Sequence, residues 1–181
     1  LTPRAQNIVY TPPAGDGGGG GGGGGDTVLE NILINEIQIN PIAQRFVELY
    51  NPNATDVDLT GWYLQRKTQS AGSWSSFVSS TNFEGKTIPA NGYFLISREL
   101  AGSDILHDIT LTDNNSLALK NADGTIVDKV GYGTAEDFET ASAENPADGQ
   151  SIQRKIDSAT NKSKDTGDNS IAGWGMTLNG S

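Results

Sequence analysis

At 181 residues the chain is long enough for one domain with its own hydrophobic core. Its formal charge of −10, from 12 Lys+Arg against 22 Asp+Glu, repels polyanions and argues against nucleic-acid binding and adhesion to an anionic membrane face. With no Cys, disulfide frameworks, thiolate zinc sites and cysteine nucleophiles are excluded, and no run approaches the ~20 apolar residues that cross a bilayer.

Residues 1–13 carry a few apolar side chains (Leu1, Ile8, Val9, Tyr10) and stop at Thr11-Pro12-Pro13, so they read as the end of a preceding region or as disordered. Residues 14–26 hold nine consecutive glycines, Gly17 to Gly25. Glycine buries no side chain to offset its ordering entropy, so this stretch is a flexible linker with a reach of roughly 20–25 Å. A phosphate-cradling loop needs a strand before it, a helix after it and a Lys-Ser/Thr ending, and none is present. Without a signal peptide, and with Met176 its only Met, the chain reads as an internal piece of a longer protein.

Residues 27–181 form the folded domain. Short β-branched and aromatic runs alternate with turn signals. The run 32–39 ends at Asn40-Pro41, and 45–50 ends at Asn51-Pro52-Asn53. Residues 57–59 and 61–65 make a third strand, and 74–78 a weaker fourth. Runs 86–88 and 93–97 flank Pro89-Ala90-Asn91-Gly92. Runs 116–120 and 125–132 flank Asn121-Ala122-Asp123-Gly124 and predict a β-hairpin. Residues 151–154 are the last clear strand, and 134–143 supports one helical turn at most. So many short strands with frequent turns predict an all-β sandwich in preference to a small barrel.

Taken in order, the strands also form a series of phrases: Ile34-Asn35-Glu36-Ile37, Phe46-Val47-Glu48-Leu49-Tyr50-Asn51-Pro52, Asp58-Leu59-Thr60-Gly61-Trp62-Tyr63-Leu64 and Ile88-Pro89-Ala90-Asn91-Gly92-Tyr93-Phe94-Leu95-Ile96. Ser116-Leu117-Ala118-Leu119-Lys120-Asn121, Asp123-Gly124, Val127-Asp128-Lys129-Val130-Gly131-Tyr132-Gly133 and Gln150-Ser151-Ile152-Gln153-Arg154 follow. The series resembles the lamin tail domain family, in particular its bacterial exported members, over about residues 31–169. The resemblance implies an immunoglobulin-like β-sandwich with mainly antiparallel strands, appended to larger secreted or surface proteins. It carries over no catalytic residue. The ending Asp165-Thr166-Gly167-Asp168-Asn169 and then Ser170-Ile171-Ala172-Gly173-Trp174 departs from the family pattern and leaves the last strand open.

Several side-chain groups offer chemistry. Glu36 and Glu48 stand centrally in two neighbouring strands, where paired carboxylates serve glycoside hydrolysis at a defined separation. The structural alternative, preferred here, makes them members of a buried network in which Arg154 pairs with Glu48. His107, the only histidine, has Asp104 and Asp108 nearby but no nucleophile motif. Asp165, Asp168 and Asn169 supply oxygen donors around a turn glycine, so calcium is the one ion to test. They lack the alternating acidic spacing and a terminal bidentate Glu, and no cofactor is expected. Among Trp62, Tyr63, Trp74, Phe77, Phe83 and Trp174, Trp74 lies in a polar, loop-like context, and Trp74 with Phe77 is the expected binding pair. Four Asn-x-Ser/Thr sequons begin at Asn53, Asn114, Asn161 and Asn179.

The expectation is a non-catalytic interaction or spacer module, extracellular or on a bacterial cell surface. It would bind protein or glycan through its loops and connect neighbouring domains of a parent chain. A carbohydrate-binding accessory domain is the alternative, and a hydrolase using Glu36 and Glu48 ranks last.

Overall fold

The fold was described from a computed structural model, which defines residues 31–139, 141–160, 162–163 and the strand 174–178. Among the described residues the strands are β1 Leu33–Gln38, β2 Phe46–Tyr50, β3 Val57–Asp58, β4 Tyr63–Thr68, β5 Ser75–Val78, β6 Thr87–Ile88 and β7 Tyr93–Ser97. The others are β8 Ile105–Leu106, β9 Asn115–Lys120, β10 Ile126–Gly131, β11 Gln150–Arg154, β12 Ile156–Asp157, β13 Lys162–Ser163 and β14 Trp174–Leu178. Two short 3₁₀ turns, Ile42–Gln44 and Ser80–Asn82, are the helical elements among the described residues.

A six-stranded sheet in the order β14-β11-β1-β2-β7-β8 packs on a four-stranded sheet, β10-β9-β4-β5. Two small ribbons, β12-β13 and β3-β6, complete the fold. Every strand pair is antiparallel except β7-β8. The result is the expected immunoglobulin-like sandwich. β14 is the strand that the sequence left open, and it pairs with β11 from Arg154↔Trp174 to Gln150↔Leu178.

Period-two alternation decides what each sheet buries. Ile37, Val47, Ile96 and Ile152 share one row of the six-stranded sheet, and all belong to the core. Leu64, Leu117, Leu119 and Val130 answer from the other sheet. Phe83 and Phe94 stack across the interior with ring centroids 6.0 Å apart. At roughly 25 cal/mol per Å² of apolar area removed from water, these inner faces supply the main drive to fold.

The hairpin at Asn121-Ala122-Asp123-Gly124 forms as expected: Gly124 N–H donates to Asn121 O (2.9 Å), and Asn121 N–H to Thr125 O (3.1 Å). The third strand is corrected. Residues 57–59 and 61–65 do not continue one another: β3 pairs with β6, whereas β4 joins the four-stranded sheet. The break is local. Thr60 N–H donates to Asp58 Oδ1 (2.8 Å), Trp62 N–H donates to Leu59 O (2.9 Å), and Gly61 takes φ +82°. A non-glycine residue at Gly61 is strained twice, because its Cβ would also meet Ala122 Cβ at 2.9 Å.

Candidate functional site

The polar residues singled out in the strands lie in two buried layers, on opposite faces of the six-stranded sheet. Arg154 shares the core face with Ile152 and is fully buried. Its Nη2 donates to Asp128 Oδ1 at 2.6 Å, and its Nε to Ile34 O at 3.0 Å. Asp128 Oδ2 accepts Ile34 N–H at 2.5 Å. The carboxylate stands on β10, the guanidinium on β11 and the backbone on β1, so the group bolts one sheet to the other.

Glu36 and Glu48 are register partners on the other face, opposite Gln153 and Leu95. Asn35 Nδ2 donates to Glu48 Oε1 (2.7 Å), Ser163 Oγ meets Asn35 Oδ1 (2.5 Å), and Ser151 Oγ donates to Glu36 Oε1 (2.5 Å). The pairing of Arg154 with Glu48 is therefore corrected to Arg154 with Asp128. A strand's alternate side chains point to opposite faces, and the bulge at Asn35 sets this register. Glu36 is 5% exposed and Glu48 0%, and neither borders the surface groove below.

That groove, of about 490 Å³, lies at one end of the four-stranded sheet. Thr68 ends β4, Gln69 and Ser70 follow in the β4–β5 turn, Thr112 and Asp113 approach β9, Asn115 opens it, and Glu136 comes from the segment after β10. Its volume falls within the ~300–1,000 Å³ typical of small-molecule sites, but its lining is polar. Interlocked amides hold the walls. Asn115 Nδ2 donates to Thr112 Oγ1 (3.1 Å), Asn145 Nδ2 to Asn114 Oδ1 (3.1 Å), and Asn114 N–H to Asn145 Oδ1 (3.0 Å). Beside Glu136, Asp137 bridges Lys67 (2.9 Å) and Lys129 (3.2 Å). The hydrogen bond from Lys67 holds the Asp137 carboxyl below its ordinary range, with Lys129 adding to the effect.

Trp74 closes the β4–β5 turn and is half-buried. Phe77 belongs to the core at 8% exposure, so as a ligand-stacking ring it is corrected: on β5 it points inward. Phe83 is buried too, and Trp62 packs partly against the core. Tyr63 lies under Lys120 Nζ, 5.9 Å from its ring centroid.

His107 is half-buried and held through its backbone, its N–H donating to Ser97 O (2.9 Å). The flanking carboxylates are engaged elsewhere: Asp108 with Arg98 (2.5 Å) and Asp104 Oδ2 with Leu95 N–H (2.7 Å). Asp165, Asp168 and Asn169 lie outside the described residues. Among the described residues no cluster of three or more His, Cys, Asp or Glu could hold a metal, and no helix is long and apolar enough to cross a membrane. Of the sequons, Asn53 is buried with its Nδ2 on Asn51 Oδ1 (2.8 Å), and Asn114 is held by Asn145.

The residue that sequence reading passed over is Asp128. A signal was present: an acid within the apolar run Ile126-Val127-Asp128-Lys129-Val130, where a buried charge persists only with a partner.

No curated protein matches the chain significantly. The Lamin Tail Domain family model matches residues 27–134, more than half of the chain. That family is one of immunoglobulin-like, non-enzymatic modules. The chain belongs to the lamin tail domain family.

Proposed function

We propose that this chain is a non-catalytic recognition module of an exported or cell-surface bacterial protein, carried on its glycine tether, with a glycan as the ligand of its end groove. The observation that carries the reading is the lining of that groove by Thr68, Gln69, Ser70, Thr112, Asp113, Asn115 and Glu136, with residues 68–70 leading into the turn that half-buried Trp74 closes. Hydroxyls, amides and carboxylates match the alternating donors and acceptors of a sugar. The acidic, cysteine-free composition suits an exported bacterial domain that depends on its core. A flexible tether raises the local concentration of whatever the domain binds without adding contacts.

A glycan array probed with the 181-residue chain tests this, with Trp74→Ala and Asp113→Asn as controls. Selective binding that both variants lose supports the reading. A blank array sinks the glycan and leaves protein recognition or a spacer role, which pull-down on the parent chain's neighbouring domains separates.

A further inference from the structure

Residues 107–112, between β8 and β9, cross one end of the sandwich, and two arginines grip their backbone from opposite sheets. Arg45, just before β2, donates Nη1 to Ile109 O (3.0 Å) and Nε to Ile39 O (2.9 Å). Arg66 of β4 donates Nη1 to the next carbonyl, Thr110 O. Arg98 lies alongside, its N–H bonded to Arg45 O at 3.1 Å. Three cations thus gather at one end of a chain whose net charge is −10.

Among the described residues, the salt bridges at this end fall on Arg98. Arg98 reaches Asp108 at 2.5 Å and Glu99 at 3.4 Å, but Arg45, 6% exposed, has no ion pair among the described residues. Burial lowers its pKa, and Arg98 lowers it further. Its acceptors are neutral carbonyls, and Asp108, already paired with Arg98, is the carboxylate that acts on it from a distance, so its charge is only partly offset.

Two donors at this end also lack an acceptor. The Tyr132 hydroxyl is completely buried with no hydrogen-bond partner among the described residues, and Arg66 Nε is in the same condition. The register places both on the inner face of the four-stranded sheet. Arg66 stands opposite Leu117, Leu117 opposite Val130, and Tyr132 lies two residues beyond Val130. Arg66 and Arg45 are the cations that act most strongly on the phenol, against the burial that raises its pKa, with Asp113 the weaker opposing charge. A buried donor without an acceptor is costly, so unfilled donors beside a partly offset positive charge call for an acceptor. Arg66 is half-buried and Thr110 exposed, which leaves the Arg66 side open to solvent.

We infer that this end of the sandwich binds a small oxyanion, a carboxylate or phosphate group, with Tyr132 Oη and the Arg66 and Arg45 guanidiniums as its donors. The site is distinct from the glycan reading, which rests on the groove lining. The group is either a free ion or the acidic side chain of a partner polypeptide.

The test follows the Arg66 Nε–H resonance of the 181-residue chain by NMR during titration with sodium phosphate, sodium acetate and a short Asp/Glu-rich peptide at fixed ionic strength. A saturable shift is expected, weakened about tenfold in Tyr132→Phe, the equivalent of ~1.4 kcal/mol. Saturation by phosphate or acetate assigns a free ion, and saturation by the peptide alone assigns a polypeptide carboxylate. No saturable shift with any of the three overturns the site. A shift that Tyr132→Phe leaves unchanged also overturns it, because the phenol then takes no part. Core methyl spectra verify the fold of the variant, and Arg66→Gln, read at the Arg45 Nε–H, replaces it if Tyr132→Phe does not fold.

Discussion

Arg154 and Asp128 carry the largest single-residue consequence. Removing one member of a buried pair leaves the other charged, desolvated and alone, at a cost of about 3–5 kcal/mol. Arg154→Ala and Asp128→Ala should each lower the urea midpoint by that equivalent, whereas Asp128→Leu with Arg154→Met should recover much of the loss. Equal stability of the single variants and the native chain would show that the bolt between the sheets carries nothing. Asp137 behaves differently because it is only partly buried. Its folded-state pKa is depressed, so its contribution is present above the unfolded value of about 3.9 and is lost as pH falls through the folded value. Asp137→Asn should therefore destabilise the protein at neutral pH by at most ~1 kcal/mol, a difference that closes in strong acid. Urea unfolding of both proteins across that range measures it. A buried role for Arg154 was legible in the sequence, but its partner was not, because the bulge at Asn35 sets the register and so the faces.

At the scale of the element, turns decide more than strand propensity. Asn121-Ala122-Asp123-Gly124 was legible because Gly124 supplies the positive φ, +79°, that this hairpin needs. Gly124→Ala should cost about 1 kcal/mol or more in denaturant unfolding, with Tyr63 Oη only 3.3 Å from the added Cβ. Gly133→Ala should be worse, since φ is +64° and the new methyl would collide with the Asn114 and Asn145 amides that set the groove walls. Loss of soluble folded protein, or of glycan binding if it folds, is the expected outcome. The reversal at Leu59-Thr60-Gly61 was missed because both flanking runs look like one strand, and only the small β3-β6 ribbon gives the first half a different partner. The edge strand β5 shows how the sheet ends safely: Leu64 faces Val78 and Gln65 faces Ser76, so Phe77 is an extra residue whose bulge disrupts a flat, pairing edge.

At the scale of the whole molecule, one core joins the two main sheets, and the family match begins at residue 27, directly after the glycine run. The proposed tether predicts that deleting residues 1–26 leaves the thermal midpoint unchanged while altering avidity in any tethered assay. A lowered midpoint would mean that the leading segment packs on the domain. Chain chemistry alone determined the β class, the hairpin, the family and the absence of cysteine-based sites, because residue type, short-range periodicity and turn residues carry that information locally. Which strands neighbour one another, that Arg154 meets Asp128, that Phe77 turns inward, and that Thr68, Asp113 and Glu136 line one groove were decided only by tertiary structure. Those relations join residues tens of positions apart, and they depend on register, where a slip of one residue sends every side chain to the opposite face.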